Sequence, residues 1–406
     1  MLSYEDARLK VIEVTAGLRR IPAREKLKLQ NSLGRILAQE IASDRDYPPF
    51  DRATRDGFAV RAADCREVGA KLQVIGEIRA GGEFAKTVGA GECVQIMTGA
   101  AMPRGADAVV MIEHTWTGAR ENEVMIERVA ETGVNIVPLG SESRAGDSLL
   151  RAATRIGYAE IAIAAQVGRT ELEVYRKPRV AILSTGDEVV AVAAQPGPFE
   201  IRNSNGASLA AQAELAGAEA VLLGNAPDRI DELRQMIESG LREDALVLSG
   251  GVSMGKYDLV EEVLRGLGAE FFFDALAIRP GRPAVFGICR GKPVFGLPGN
   301  PVSTMVTFEL LAVPAIDILG GSEARPLPLL KAKLSRSAEQ KAALTHFLPA
   351  MLEWASGEAT VSELPWQGSG DIATLARGNC FLVVHESKLK LAAGEWVDVL
   401  PRRGLL

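Results

Sequence analysis

Between residues 179 and 319 short apolar runs alternate with helical patterns, and most of the runs end at glycine. The series reads RVAILSTG, NGASLAAQAELAG, AEAVLLGNAPD, RIDELRQMIESGL, ALVLSGG and YDLVEEVLRGLG, and then KPVFGLPG leads into PVSTMVTFELLAVPAIDILGG. Strands that are apolar throughout are buried on both faces. This stretch therefore predicts a doubly wound α/β domain with a parallel sheet under helices on both sides. In such a sheet ligands bind outside the carboxyl ends of the strands, where strand order reverses.

Three of the predicted strands end in loops suited to an anion. The first carries Thr185, Gly186, Asp187 and Glu188, and the second Ser249, Gly250, Gly251, Ser253, Gly255 and Asp258. The third carries Pro298, Gly299, Asn300, Pro301 and Ser303. Glycine lets the backbone approach a phosphate closely, and successive N–H groups form an anion nest. In the third loop Asn300 is a helix cap and Pro301 suits the first helical position, so a helix with free N–H groups begins there. A glycine after a strand is most often only a turn; three such loops in one domain are more specific. Asp258 with Glu261 also reads as a capping box, and Asp187 as a turn residue. Two carboxylates beside a phosphate nest imply Mg2+, held by Asp187 and Asp258. Neither a P-loop nor a GxGxxG pattern is present, which disfavours an ordinary ATPase or nicotinamide enzyme. In AIRPGRPAVFG, Arg279 and Arg282 flank a Pro-Gly turn, and their planar guanidinium groups suit an oxyanion.

The remainder reads as smaller pieces. Residues 3–20 predict a helix capped by Ser3, 23–34 a second helix stopping at Gly34, and 154–168 a third closed by Gly168. Residues 58–150 hold short strands with turns every few residues, which suits a small β-barrel or sandwich. ARPLPLL is a linker, and 331–406 returns to short strands. The net charge of −6 argues against a general nucleic-acid binder. Four scattered cysteines without a CxxC pair, and three scattered histidines, argue against a disulfide framework or a zinc cluster. No apolar run approaches the length of a membrane span and the N-terminus lacks a signal pattern, so a cytoplasmic protein with no membrane partner is expected.

The ordered set FDRATRDGFAV, TGAAMPRGADAVV, LSTGDEV, SGGVSMGKYD, AIRPGRP, GLPGNPVS and QGSGDIATLARGNCFLVV resembles the molybdopterin molybdenumtransferases, the family of MoeA and the E domain of gephyrin, over nearly the whole chain. The resemblance implies four domains: a discontinuous, elongated helical and extended domain (1–45 and 140–173), a small β-barrel-like domain (46–139), an α/β molybdopterin-binding domain (174–322) and a C-terminal β-barrel (328–406). It implies a homodimer that inserts molybdate into the dithiolene of adenylated molybdopterin, with Mg2+-dependent cleavage of the adenylate. By the same resemblance Ser249, Gly250, Gly251 and Ser253 hold the pterin phosphate. Asp187, Glu188 and Asp258 serve metal and hydrolysis, and Ser303, Pro283 and Ser369 shape the oxyanion pocket. Asp56 and Thr98 complete the cleft from the partner subunit. Departures cluster. Val137-Pro138-Leu139-Gly140-Ser141-Glu142 stands where the family usually has Arg-Pro-Arg-Gly-Glu-Asp, Arg279 and Arg282 replace lysines, and Arg55 replaces a methionine. Losing cations near an oxyanion site opens a second reading, a carrier or scaffold that binds molybdopterin without efficient turnover.

Overall fold

The computed structural model describes residues 1–18, 21–120, 122–251, 259–340, 344–355, 357–388 and 390–405. The chain forms two compact units, one of residues 1–39, 152–161 and 170–406, the other of 40–151 and 162–169.

In the larger unit, helix α1 (Tyr4–Gly17) starts as the sequence dictates, with the Asp6 N–H donating to Ser3 Oγ at 3.0 Å. The central sheet contains β1 (Arg179–Thr185), β2 (Glu219–Ala226), β3 (Ala245–Ser249), β4 (Glu270–Ala275), β5 (Pro283–Cys289) and β6 (Lys292–Leu297). Their order is β2-β1-β3-β6-β5-β4. Helices α2 (Ser204–Ala216), α3 (Ile230–Gly240) and α4 (Leu259–Gly266) connect the strands. Odd and even residues of β1 explain its unbroken apolar run. Val180 and Ile182 face a core shared with α1 and α2, whereas Ala181 and Leu183 face Leu233 and Ile237 of α3 and Val263 of α4. The sheet is mixed rather than wholly parallel. β2, β1, β3 and β6 run parallel, but β5 is antiparallel to β6 and to β4. The cause is a two-residue turn in which Arg290 (φ 50°) and Gly291 (φ 70°) are both left-handed, the geometry that folds a strand back as a hairpin.

After β6 the chain enters α5 (Pro301–Thr307), a π-helical segment Phe308–Ala312 and α6 (Val313–Leu319). Pro314 has no N–H to give to the carbonyl four residues before it, Leu310. That carbonyl instead accepts from Nη1 of the buried Arg8 at 3.2 Å. The helical run is apolar and long enough to cross a membrane, contrary to the sequence expectation, but 83% of it is buried inside the protein. Asp317 in α6 has a fully buried side chain that accepts from Arg155 Nη2 at 3.0 Å and from the backbone N–H of Arg325 at 3.0 Å.

The C-terminal part is a closed ring. Strands β7 (Leu330–Leu334), β8 (Thr345–Ala355), β9 (Glu358–Glu363), β10 (Cys380–Val384) and β11 (Trp396–Pro401) pair in the order β8-β9-β7-β11-β10 and back to β8. Helix α7 (Ile372–Arg377) is capped by Asp371. The helix expected over 23–34 is absent: Arg24–Lys28 is a strand paired antiparallel with Glu171–Tyr175, followed by one 3-10 turn. The Lys26-Leu27-Lys28-Leu29 alternation is a period-two pattern, and strand pairing outweighs the helix propensity of these residues. The third helix is shorter than expected, Tyr158–Gln166, because Arg155 bridges to Ile36 instead.

The smaller unit holds a six-stranded sheet in the order 108–111, 57–60, 92–96, 70–78, 123–126 and 115–117. Cys65 and Cys93 lie in its core, and none of the four cysteines is in a disulfide.

Replacing Asp317 by Ala strands two arginines without their buried counter-ion. The expected loss is about 3–5 kcal/mol of unfolding free energy, read from urea titrations of the variant and the parent.

Candidate functional site

β1, β3 and β6 are adjacent, so Ser184 pairs with Ser249 and Ser249 with Leu297. Their three loops therefore open side by side. The chain runs outward from β1 to β2 and returns on the other side of β1 to β3, so the strand order reverses between β1 and β3. A cavity of about 990 Å³ lies there, lined by Thr185, Gly186, Glu188, Ser249, Gly250, Gly251, Pro283, Pro298, Gly299 and Asn300 among the expected residues. Ser253, Gly255 and Asp258 lie outside the described residues.

The nest is set by glycine geometry. Gly250 and Gly251 have φ of 93° and 62°, and a Cβ on Gly250 would sit 2.8 Å from the Thr185 carbonyl oxygen. A Cβ on Gly251 would meet Thr185 Oγ1 at 2.8 Å and Val260 at 2.9 Å. Asn205, which the sequence reading missed, braces this arrangement by donating from Nδ2 to Ser249 Oγ at 2.8 Å and to the Gly299 carbonyl at 2.7 Å. Thr185 Oγ1 and Asn205 Oδ1 are buried polar atoms without a protein partner, both on cavity-lining residues. Buried polar atoms are rarely left unpaired, and two of them beside one cavity mark a site for a polar ligand.

Asn300 occupies the cap position of α5, with Pro301 in the first turn, but its side chain does not cap. Its carbonyl accepts instead from Thr304 Oγ1 and the Thr304 N–H, both at 3.0 Å. The Val302 N–H is also committed, to the Ser369 carbonyl at 2.9 Å. The helix terminus thus offers fewer free donors than the sequence suggests.

The acid loop follows β1. Asp187 Oδ1 accepts from the backbone N–H of Asp228 at 3.1 Å. Asp228, two residues past the end of β2, is a second residue that the sequence reading missed. Burial first, then the negative charges of Asp187 and Glu188, pushes its carboxyl above the ordinary range. The loop itself is pinned by Asn225, whose Nδ2 donates to the carbonyls of Gly186 and Val189 at 2.9 and 3.0 Å.

A second cavity of about 1000 Å³ is lined by Arg279, Arg282, Ser303, Ser369, His346 and Glu363, and shares Pro283, Pro298, Asn300 and Gly370 with the first. Arg279 and Arg282 thus both line one space. Gly281 between them (φ 104°) is packed so that a Cβ would strike Thr307 Cγ2 at 2.6 Å. Burial pushes the Glu363 carboxyl up.

In the smaller unit the expected pair Asp56 and Thr98 is bonded. Asp56 Oδ1 accepts the Thr98 N–H at 2.6 Å and the Thr98 hydroxyl at 2.7 Å, and these bonds hold the carboxyl below its usual range. Leu139 N–H donates to Asp51, and Glu142 pairs with Arg52 at 2.9 Å, so the one acid of the altered loop is matched locally. Arg55 is exposed.

Fold and cleft together define a multi-domain α/β plus β protein that presents a glycine nest, an acidic loop and a twin-arginine pocket at one sheet edge. Residues 2–168 match the MoeA N-terminal region (domains I and II), 181–317 a probable molybdopterin binding domain, and 331–401 the MoeA C-terminal region (domain IV). A protein named molybdopterin molybdenumtransferase from Bacillus subtilis (strain 168) is 34% identical over 383 residues, covering 93% of this chain and 89% of that protein. One of the same name from Staphylococcus aureus (strain Mu50) is 34% identical over 92% of this chain and 90% of its own. The crystal structure of a molybdopterin biosynthesis MoeA protein from Pyrococcus horikoshii OT3 superimposes with a TM-score of 0.80 at 26% identity, over 99% of this chain and all of the other. The chain belongs to the molybdopterin molybdenumtransferase family.

Two outcomes follow from the geometry. Gly250→Ala puts a side chain on left-handed backbone against the Thr185 carbonyl and should cost about 1–2 kcal/mol of stability or more, read from urea titrations of variant and parent. Glu363→Gln should stabilise the protein at alkaline relative to acid pH. A raised carboxyl favours folding while protonated, and that contribution is lost as pH rises through the folded pKa. Urea titrations of parent and variant on both sides of the carboxylate range check the sign.

Proposed function

We propose that this chain is a working molybdopterin molybdenumtransferase, which inserts molybdate into the dithiolene of adenylated molybdopterin and cleaves the adenylate with the help of Mg2+. One observation carries this reading: the glycine nest and the twin-arginine pocket belong to cavities that share four lining residues, so a phosphorylated pterin and an oxyanion would be held next to each other.

The roles follow from the chemistry of each group. The Gly250 N–H is committed to the Leu297 carbonyl at 3.1 Å, so the N–H of Gly251, next to Ser249, is the donor of this loop that binds the pterin phosphate. Arg279 and Arg282 bind molybdate with their planar donors, and Ser303, Pro283 and Ser369 set the pocket wall. Asp56, kept ionised by Thr98, is a further reacting carboxylate. The division into four domains and a homodimer are part of the same proposal.

Mg2+ fits the residues present. Among the described residues no three acidic, histidine or cysteine side chains form a ready-made cage. That suits Mg2+, which takes one or two carboxylates and completes its shell with water and substrate phosphate. Asp187 would hold it together with Asp258, and the mutual repulsion felt by Asp228 is the kind a cation relieves. When bound, the ion neutralises charge on the phosphate being cleaved.

The test mixes purified protein with adenylated molybdopterin, Mg2+ and molybdate, and follows AMP release and transfer of active cofactor to an apo-enzyme. Asp187→Ala should slow AMP release at least about 100-fold. Tight molybdopterin binding by the parent without AMP release would assign the carrier role instead.

A further inference from the structure

Among the described residues lining the first cavity, Arg202 is the one cationic side chain, and it shares the lining with the carboxylates of Glu188 and Asp228. It belongs to a short strap. Ile201–Arg202 pairs in parallel with Val189–Val190, and the Ile201 N–H donates to the Glu188 carbonyl at 2.8 Å. Three residues later Asn205 reaches the other wall, bonding Ser249 and Gly299. The strap therefore runs from the acid loop to the nest, with Arg202 at the acid end.

The partners of Arg202 are uncharged. Its Nε donates to the Ala194 carbonyl at 3.1 Å and its Nη2 to Gln195 Oε1 at 3.5 Å, the second contact being at the limit of a hydrogen bond. Among the described residues, Glu188 and Asp228 line the same space without forming an ion pair with Arg202. A guanidinium so placed is available to a phosphate, for which its fork of donors is well matched. An anion approaching the acid end meets the carboxylates of Glu188 and Asp228, so a counter-charge is needed there in addition to the nest.

We propose that Arg202 is a specificity-determining residue that contacts the nucleotide-side phosphate of the adenylated substrate, while the nest holds the phosphate on the pterin side. This rests on the functional reading above and deepens it. The protein would tell an adenylated pterin from a plain one by a single charge-assisted contact at the acid end of the cavity.

The experiment titrates the full chain in Mg2+ with 5′-AMP and, separately, with molybdopterin, for the parent and for Arg202→Gln, Arg202→Lys and Gln195→Ala, with thermal melts to establish folding. Arg202→Gln should weaken AMP binding about 10- to 100-fold and leave molybdopterin binding within about twofold. Arg202→Lys should recover part of the loss. Gln195→Ala loosens the strap without changing charge and should bind AMP as the parent does. The parent's affinity for AMP should fall with salt more steeply than that of Arg202→Gln. Unchanged AMP binding in Arg202→Gln would overturn the proposal, as would an equal loss in Gln195→Ala or an equal loss of molybdopterin binding. A parent that binds molybdopterin but not AMP would overturn the nucleotide half of the functional reading along with it.

Discussion

The parallel pairing of β1, β3 and β6 is the constraint on which the site depends. It places Ser184, Ser249 and Leu297 at the same level of one sheet edge, so the next residues of all three strands enter a common space. Parallel pairing needs long crossovers, and α2, α3 and α4 with their loops supply the length while covering both faces. The reversal of order between β1 and β3 then leaves a gap that no crossover fills. The nest, the acid loop and the start of α5 are consequences of that gap. Gly250 and Gly251 are needed because their backbone turns away from Thr185 within contact distance, leaving no room for a side chain.

The two cavities meet negative ligands by different physical means. Around the nest the lining is mostly uncharged backbone and hydroxyl groups, with the carboxylates of Glu188 and Asp228 on the same wall. Arg279 and Arg282 supply full charges in the second cavity, and no acid on their own loop opposes them. A phosphate ester bound with a cation, as proposed, suits the first arrangement, since excess protein cations would compete with that cation. A compact oxyanion that has to be concentrated from solution suits the second. The shared wall of Pro283, Pro298, Asn300 and Gly370 keeps the chemistries adjacent without mixing their charges.

Much of the α/β layer was legible because burial on both faces leaves a continuous apolar run, and its three glycine-rich loops open side by side at one edge. Less was legible wherever a distant segment decides the outcome. Arg24–Lys28 is a strand because Glu171–Tyr175 lies beside it, a partner some 150 positions away that no local window contains. Asp228 carried no signal of its own; only its bond to Asp187 makes it part of the acid loop. Asn205 sits where a helix start explains it fully, and its second use, bracing Ser249 and Gly299, is invisible until those loops are adjacent. The β5–β6 hairpin was missed because Arg-Gly is a weaker turn signal than Asn-Gly, although Arg290 adopts the same left-handed backbone.

The barrel is more than an appended domain, because it fixes walls of the second cavity. Ile278–Arg279 pairs in parallel with Thr345 and His346 at the start of β8, so the direction of the Arg279 loop is set by a barrel strand. The other side of that loop is tied to the chain's beginning, where the Ala277 N–H donates to the Leu2 carbonyl at 2.7 Å. Ser369 reaches the pocket through its bond to the Val302 N–H, which couples the barrel to the first turn of α5. Arg403, near the end of the chain, pairs with Glu309 in the π-helical segment, the place where Pro314 has broken the regular ladder. Both ends of the larger unit therefore converge on the helix that follows the third loop. A substitution in the barrel that shifts β8 would be felt at Arg279 before it was felt at the nest, since the nest is built from strands of the sheet alone.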